Sequence, residues 1–511
     1  MMQILRKWAL AAGSAATAML FAAPSHAESW LIRDALIIDG TGAAGQTGSV
    51  RVEDDRIVAV GALQARPGEK VIEAAGLVLA PGFIDTHAHY DFDFDNHPHV
   101  LGATSQGITT IIVGQDGFSN YPLATFHAGL RARPVAVNIA SYAGHNSIRA
   151  AVMGEDYRRT ANADEKAKME RALRDEMANG ALGLSTGLEY DPGIHSDYAE
   201  VRDLAATAAS LGGRYISHIR SEDRHLEPAI DEIIRIGRDT GMPVQISHFK
   251  IAMKSKWGSA PALLAKLDRA RAEGVRITAD VYPYQYWASV MEVLLPDRNF
   301  EDVKAVEFLL AELAPADGLT LALFPADRTV EGKTIAEIAE ARGQSPAATY
   351  LALLKQSKDW QVQHPGDLEL IIGRSMDEND LRTLMQWPHS NFSTDGAPEG
   401  HPRGYGSYPR ILGHYVRDQK LMSLEQAVQK MTSLAADHMG LAGRGRIAAG
   451  LAADLVLFDR QAIIDRATVR DRSRLSEGVR KVWVNGVLVF DDGRPTEARP
   501  GAILRRAEGV K

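Results

Sequence analysis

The chain has 511 residues, 45% of them hydrophobic and 24% charged, with a formal net charge of −8. That composition suits one large α/β domain with a smaller companion and gives no basic footprint for nucleic acid. There is no cysteine, which excludes disulfides, thiolate nucleophiles and thiolate metal ligands.

In chain order, Arg6 and Lys7 precede an apolar run at 8–23, and Ser25-His26-Ala27 follows as a small-x-small site. This pattern predicts a secretory signal peptide, residues 1–27, and export to the periplasm. An uncleaved anchor is the weaker reading, because the run is short for a bilayer span. No later segment is long and apolar enough to cross a membrane.

The next fifty residues read as β. Runs at 30–32 and 35–38 precede the turn Asp39-Gly40-Thr41-Gly42, and 48–52 and 57–60 flank a polar hairpin turn. The far end is alike: 453–458 is a buried-strand run, and Asn485-Gly486 between 482–484 and 487–489 is a strong hairpin signal. Together the ends, 28–80 and 440–511, predict one small β-domain built from both termini.

Between them strand and helix alternate. Asn162 and Glu165 read as a capping box, with Met169, Leu173 and Met177 at helical spacing. Ile230, Ile233, Ile234 and Gly237 mark a helix closed by Gly241, and Leu263, Leu264, Leu267 and Ala270 mark another before Gly274. Strand runs at 181–184, 244–247 and 275–281 alternate with these helices. Repeated βα units imply a parallel sheet, open or closed. Their number, with no Gly-rich phosphate loop, favours a closed TIM-type barrel at 81–439. The proline-bearing, charged stretch at about 291–356 breaks the rhythm and reads as an inserted lid segment or as one longer connection.

Polar residues follow the apolar strands of this region. His87 and His89 end the stretch Pro81-Gly82-Phe83-Ile84-Asp85-Thr86-His87-Ala88-His89, where a spacing of two puts both imidazoles on one side. A lone His-x-His is more often two unrelated polar residues. Here Asp116, His218, His248 and Asp395 also follow apolar runs, and barrel strand ends converge on one mouth. Four histidines and two carboxylates suffice for one or two metal ions. Glu189 is a back-up ligand, though a role behind the ligands or a purely structural one is the stronger reading, and Glu222 is a brace for His218. His145 either contacts substrate or satisfies a backbone carbonyl. His97, His99, His195, His225 and His401 read as loop or surface residues.

The chain resembles the amidohydrolase superfamily and, within it, the N-acyl-D-amino-acid deacylase (D-aminoacylase) family. The resemblance rests on 81–89, Ser105-Gln106-Gly107-Ile108-Thr109-Thr110, 183–190, Val244-Gln245-Ile246-Ser247-His248-Phe249-Lys250 and His401-Pro402-Arg403-Gly404-Tyr405-Gly406. It spans about 30–493. It implies a zinc-dependent hydrolase on a distorted (β/α)8 TIM-type barrel, with a small β-sandwich domain, an inserted lid and one or two Zn2+ ions, that cleaves N-acyl-D-amino acids by attack of metal-bound hydroxide. In that likeness His218 and His248 hold the tight zinc, and His87 and His89 match the first-strand pair, which contributes to a weaker second site or only shapes the pocket. Asp395 orients the water and shuttles protons, while Lys250, Arg403, Tyr190 and Tyr282 bind the substrate's free carboxylate. On sequence alone Lys250 and Arg403 would be ordinary surface cations. The family commonly carries cysteine where this chain has Asp116, and a carboxylate there is harder and can bridge two metals. A relative acting on D-residue dipeptides or cyclic amides, and a non-catalytic binding protein on a degenerate barrel, are the rival readings. Nothing in the sequence fixes an oligomeric state.

Overall fold

The structure is a computed structural model that describes residues 29–506; the predicted signal peptide lies outside the described residues. Eight strands in chain order build a parallel ring: β1 (Phe83–Asp85), β2 (Ile108–Val113), β3 (Asn138–Ser141), β4 (Gly183–Gly187), β5 (Arg214–His218), β6 (Val244–Ile246), β7 (Ile277–Val281) and β8 (Ser390–Phe392). β2, with the β-branched sequence ITTIIV, is buried throughout, as a strand covered on both faces requires. β1 to β3 pair in parallel, and so do β4 to β8 in order.

Two seams join these arcs. At one, Ala88 bridges Gly396, the Asp395 amide donates to His87 O at 2.9 Å and the His89 amide donates to Gly396 O at 2.8 Å. At the other, Ala143 pairs with Leu184, and the Leu182 amide donates to Ser141 O at 2.8 Å. β4 therefore starts later than the apolar run at 181–184, because Leu182 belongs to the seam. The lower part of that seam is filled by the C-terminal segment. Ile139 donates to Ala502 O at 2.9 Å, and Leu504 donates to Ile139 O at 2.7 Å.

The helices between strands end where their caps place them. Asn162 and Glu165 form the capping box of Ala163–Ala178. Gly241, at φ 66°, closes Leu226–Thr240.

Both chain ends supply one nine-stranded sheet, joined where Val78–Pro81 pairs antiparallel with Leu455–Phe458. Residues 30–32 and 35–38 form one strand, Ser29–Ile37, rather than two. Trp30 and Trp483 lie on strands three steps apart in this sheet, ~14 Å if it were flat. Their rings stack at 5.2 Å, so the sheet folds over itself into a sandwich. Alternation assigns its faces: Ile32, Val52, Leu455 and Leu457 fill the sandwich, while Val78, Ala80, Val456 and Phe458 join the barrel core. Gly82 carries the chain from sandwich to barrel, where any Cβ would lie 2.2 Å from Thr109.

Residues Trp287–Arg374 form a compact unit of their own. It contains the antiparallel pair Leu319–Leu323 and Leu370–Arg374 and the helices Val303–Glu312, Ile335–Arg342 and Pro346–Gln363. This unit is wider than the expected 291–356, because its last strand pairs back within it.

Deleting residues 500–511 should expose the lower seam. The loss of the Ile139 ladder and of the Gly501 amide bond to Val135 O should cost about 2–4 kcal/mol, read as a lowered urea midpoint. An unchanged midpoint would show that the seam closes without the tail.

Candidate functional site

All six predicted donors sit at or just beyond the C-terminal ends of ring strands. His218 is the last residue of β5, and His87, His89, Asp116, His248 and Asp395 follow their strands within four residues. Asp116, His248 and Asp395 adopt left-handed backbone, with φ of 53°, 36° and 48°. Such residues each cost on the order of 1 kcal/mol or more and persist where surrounding contacts impose them. At Asp116 those contacts are plain. Ser185 Oγ donates to Gly114 O at 2.5 Å, Gln115 Nε2 donates to Thr86 O at 2.9 Å, and a Cβ on Gly187 would lie 2.0 Å from Asp116 O.

The donors form two groups that share Asp116. In the first, Asp116 Oδ2 is 3.3 Å from both His87 Nε2 and His89 Nε2, and Asp395 Oδ1 is 3.3 Å from His89 Nε2. In the second, Asp116 Oδ1 is 3.2 Å from His248 Nε2, which is 3.1 Å from His218 Nδ1. Within each group the donor atoms lie within 4.8 Å of one another. The first offers four donors. The second offers three, the number at which catalytic zinc keeps an open position.

The other nitrogens of the second pair are held by carboxylates. His218 Nε2 is 2.9 Å from Glu189 Oε2, and His248 Nδ1 is 2.9 Å from Glu222 Oε1. Glu222 lies 4.0 Å from His218, so the expected brace on His218 is Glu189, and Glu222 serves His248 instead. Carboxylate–imidazole contacts of this kind fix ring orientation behind a metal.

The charges show what the pocket is built to receive. Burial alone would lower the His89 imidazole, but Asp116 and Asp395 outweigh it and push it up to about 10. Burial and Lys250 oppose the charge on His248, yet Glu222, Asp116 and Asp395 raise it to about 10 as well. Burial would raise Asp395, but Arg403 and the surrounding imidazoles hold it well below the usual carboxylate range. A carboxylate set that loads protons onto neighbouring imidazoles is one that accepts cations, and the nitrogen and oxygen donors suit zinc.

The predicted carboxylate binders also gather here. Arg403 Nη1 lies 2.8 Å from Asp395 Oδ2, and its guanidinium carbon is 4.7 Å from the centre of the Tyr282 ring. Lys250 Nζ contacts both Glu222 oxygens at 2.6 Å and His248 Nδ1 at 2.8 Å. The Tyr190 ring centre is 4.5 Å from that of His218. Tyr282 Oη and Arg403 Nε are buried and have no hydrogen-bond partner among the described residues.

Two further expectations change. His401 is buried against Tyr284, with Nδ1 accepting from the Arg403 amide. His145 binds neither a carbonyl nor the donor groups: its Nε2 is 2.8 Å from Glu200 Oε1, which Arg149 Nε also reaches at 2.9 Å. Two acids escaped notice. Asp85 accepts from the Thr394 amide, and Asp280 accepts from the His248 amide and from Ser393 Oγ. The available signal was an acid inside an apolar strand, which is rarely buried without a task.

The model of the amidohydrolase family, Amidohydro_3, matches residues 70–490. The chain belongs to this family. It is 37% identical to N-acyl-D-glutamate deacylase of Alcaligenes xylosoxydans xylosoxydans, with 94% of this chain and 97% of the relative covered. It is 33% identical to D-aminoacylase from the same organism, with 93% and 97% covered. Among solved structures, N-acyl-D-glutamate deacylase from Bordetella bronchiseptica, complexed with zinc and a phosphonate mimic of the tetrahedral intermediate, superposes with a TM-score of 0.84. It shares 34% identity, with 94% of this chain and all of that chain covered. The α/β barrel with its sheet domain is thus the family fold.

The Glu200 pairs are fully buried. Burial would raise Glu200, but His145 and Arg149 hold it below the usual range. Glu200→Gln should cost about 3–5 kcal/mol by stranding Arg149, while metal content and KM stay at wild-type values. Denaturant unfolding at fixed metal load reads the first and elemental analysis the second.

Proposed function

We propose that the chain is a zinc-dependent hydrolase that cleaves the amide bond of N-acyl-D-amino acids to a carboxylate and a free D-amino acid. The observation that carries this reading is the shared Asp116: two nitrogen–oxygen donor groups meet beside a cluster of buried cationic and phenolic donors. Family membership and the printed activities of the relatives support the substrate class.

His218 Nδ1, His248 Nε2 and Asp116 Oδ1 would hold one zinc, and His87, His89, Asp116 Oδ2 and Asp395 the other. Zinc supplies a Lewis acid for the amide carbonyl and lowers the pKa of a water towards ~7. Asp395 is ionised and held by Arg403, which keeps it competent to take the proton of the attacking water. The same carboxyl then returns that proton to the departing nitrogen. Glu189 and Glu222 keep the two imidazoles turned the right way.

The free carboxylate of the substrate is met by Arg403 Nε and Tyr282 Oη. Buried donors of this kind are normally satisfied, and a carboxylate oxygen satisfies them. Lys250 adds charge from behind, tied to Glu222, and Tyr190 forms the wall beside His218. Without metal, the four carboxylates of Asp116, Asp395, Glu189 and Glu222 are balanced by Lys250, Arg403 and the raised imidazoles of His89 and His248, which leaves no net positive charge to draw in an anion. An anionic substrate therefore depends on bound metal for attraction as well as for chemistry. The Arg6-Lys7 start, the apolar run at 8–23 and the small residues before Glu28 support export to the periplasm, and mature protein would begin at Glu28.

After loading with zinc, N-acetyl-D-amino acids should turn over and their L-enantiomers should not; turnover confined to L-substrates, dipeptides or cyclic amides would remove this reading. Chelator treatment should abolish turnover and weaken substrate binding in calorimetry. Asp395→Asn should lower kcat by about 10²–10⁴-fold with the zinc of His218 and His248 retained, and His218→Ala or His248→Ala should lose that metal itself. Arg403→Ala should raise KM and leave metal loading unchanged. Metal loss in that variant would contradict its role.

A further inference from the structure

We propose that Phe92 is a platform for the acyl chain of the substrate, and that it makes the site prefer a medium-length unbranched acyl group such as hexanoyl over acetyl. This rests on the deacylase reading above and concerns the acyl half of the substrate.

Among the described residues Phe92 is the most exposed phenylalanine or tryptophan, with 67% of its surface open. Single exposed apolar residues are common and mean little by themselves. This one is held in place. It belongs to one 3-10 turn, Tyr90–Asp93, and both of its chain neighbours are buried. Tyr90 Oη donates to Gly404 O at 2.6 Å, and Asn120 Nδ2 donates to Asp91 Oδ2 at 2.7 Å. Those bonds tie the turn to the segment after β8 on one side and to the loop after β2 on the other. The Phe92 ring lies nearly parallel to the His89 imidazole, with 5.4 Å between centres and 18° between planes. Part of the ring thus rests against a member of the first donor group, and the remainder is open.

Strand order decides which end of the substrate reaches it. Lys250, Tyr282 and Arg403 follow β6, β7 and β8, so the substrate carboxylate lies on that arc of the ring. With the amide carbonyl at the donor groups, an extended acyl chain continues across the mouth over the loops after β1 and β2. Phe92 stands in the first of these loops and Phe118 in the second. Phe118 is half-buried, its ring centre 6.1 Å from that of Tyr190. An acetyl methyl would end at the donors, whereas a longer chain would lie over Phe92. A ring already fixed by its neighbours loses little freedom when a chain covers it, so the apolar surface removed from water counts towards binding.

The test varies the acyl chain on one D-amino acid, the one whose N-acetyl derivative the zinc-loaded full-length protein turns over fastest. Full burial of a methylene is worth about fourfold, and a platform on one side about half of that free energy, or about twofold. Over the four methylenes that separate hexanoyl from acetyl, wild type should therefore favour hexanoyl by about 15-fold in kcat/KM. Calorimetry with the uncleavable N-pentanesulfonyl and N-methanesulfonyl derivatives of the same amino acid should give a similar ratio of Kd values. Phe92→Ala should bring both ratios down to about 1–2, and Phe92→Leu should leave them in between. A Phe92 that only props His89 would lower both substrates together and leave the ratios unchanged, which would overturn the platform. A wild type that prefers acetyl would overturn it too, as would a Phe92→Ala variant that changes the preference among D-side chains instead. Turnover of no N-acyl-D-amino acid of any chain length would remove the deacylase reading and the platform with it, whereas turnover with a flat chain-length series removes the platform alone. Should Phe92→Ala fail to fold, Phe92→Leu and the wild-type series decide.

Discussion

A single backbone hydrogen bond, from the Asp395 amide to the His87 carbonyl at 2.9 Å, fixes more of this molecule than its strength suggests. It closes the ring between β8 and β1 and brings together residues more than three hundred positions apart in the chain. A bond of this kind contributes about 1 kcal/mol, so it cannot hold the seam unaided. Asp85 reinforces it by accepting from both the Thr394 amide and its hydroxyl, and Tyr408 donates to the carbonyls of Ile84 and Phe392 on the same two strands. The placement of Asp395 against His89 follows from this closure, while Asp116 reaches both imidazoles through the pairing of β1 with β2.

Buried acids do similar work around the ring. Asp280 Oδ1 accepts from the His248 amide and from Ser393 Oγ, and its Oδ2 accepts from Gln245 Nε2. One side chain on β7 thereby ties β6 to the loop after β8, beneath the donors. Burying a carboxylate costs several kcal/mol unless its oxygens are occupied. Asp280 meets that condition entirely with groups that also position the site, so its burial and the placement of His248 share one set of contacts.

Much of this was legible in the sequence, and the reason is geometric. Period-two alternation and capping residues are local signals, so the capping box at Asn162, the C-cap at Gly241 and the hairpin at Asn485-Gly486 were readable in place. Donors placed just after apolar runs were readable because a parallel barrel sends every strand end to one mouth. What could not be read depended on partners distant in sequence. Glu222 lies four residues after His218, which made it the obvious brace. The structure turns it towards His248 and Lys250, 26 and 28 positions away, and leaves His218 to Glu189. His401 looked like a loop residue because its neighbours are polar, yet it is buried against Tyr284. The unit at Trp287–Arg374 ended beyond its expected limit because strand pairing, not composition, sets its edge.

The three left-handed residues show how rigidity is distributed. Asp116, His248 and Asp395 each accept an unfavourable backbone, and each is restrained by a contact from another strand. Gly187 on β4 presses on Asp116, Asp280 on β7 holds the His248 amide, and the His87 carbonyl after β1 holds the Asp395 amide. Strain at each donor is thus balanced by a different part of the ring rather than by its own loop. A loop could relax independently and let its donor drift, whereas a ring cannot relax one strand without disturbing its neighbours. The candidate donors are therefore preorganised by the closed barrel, with their ligating atoms already gathered within each group.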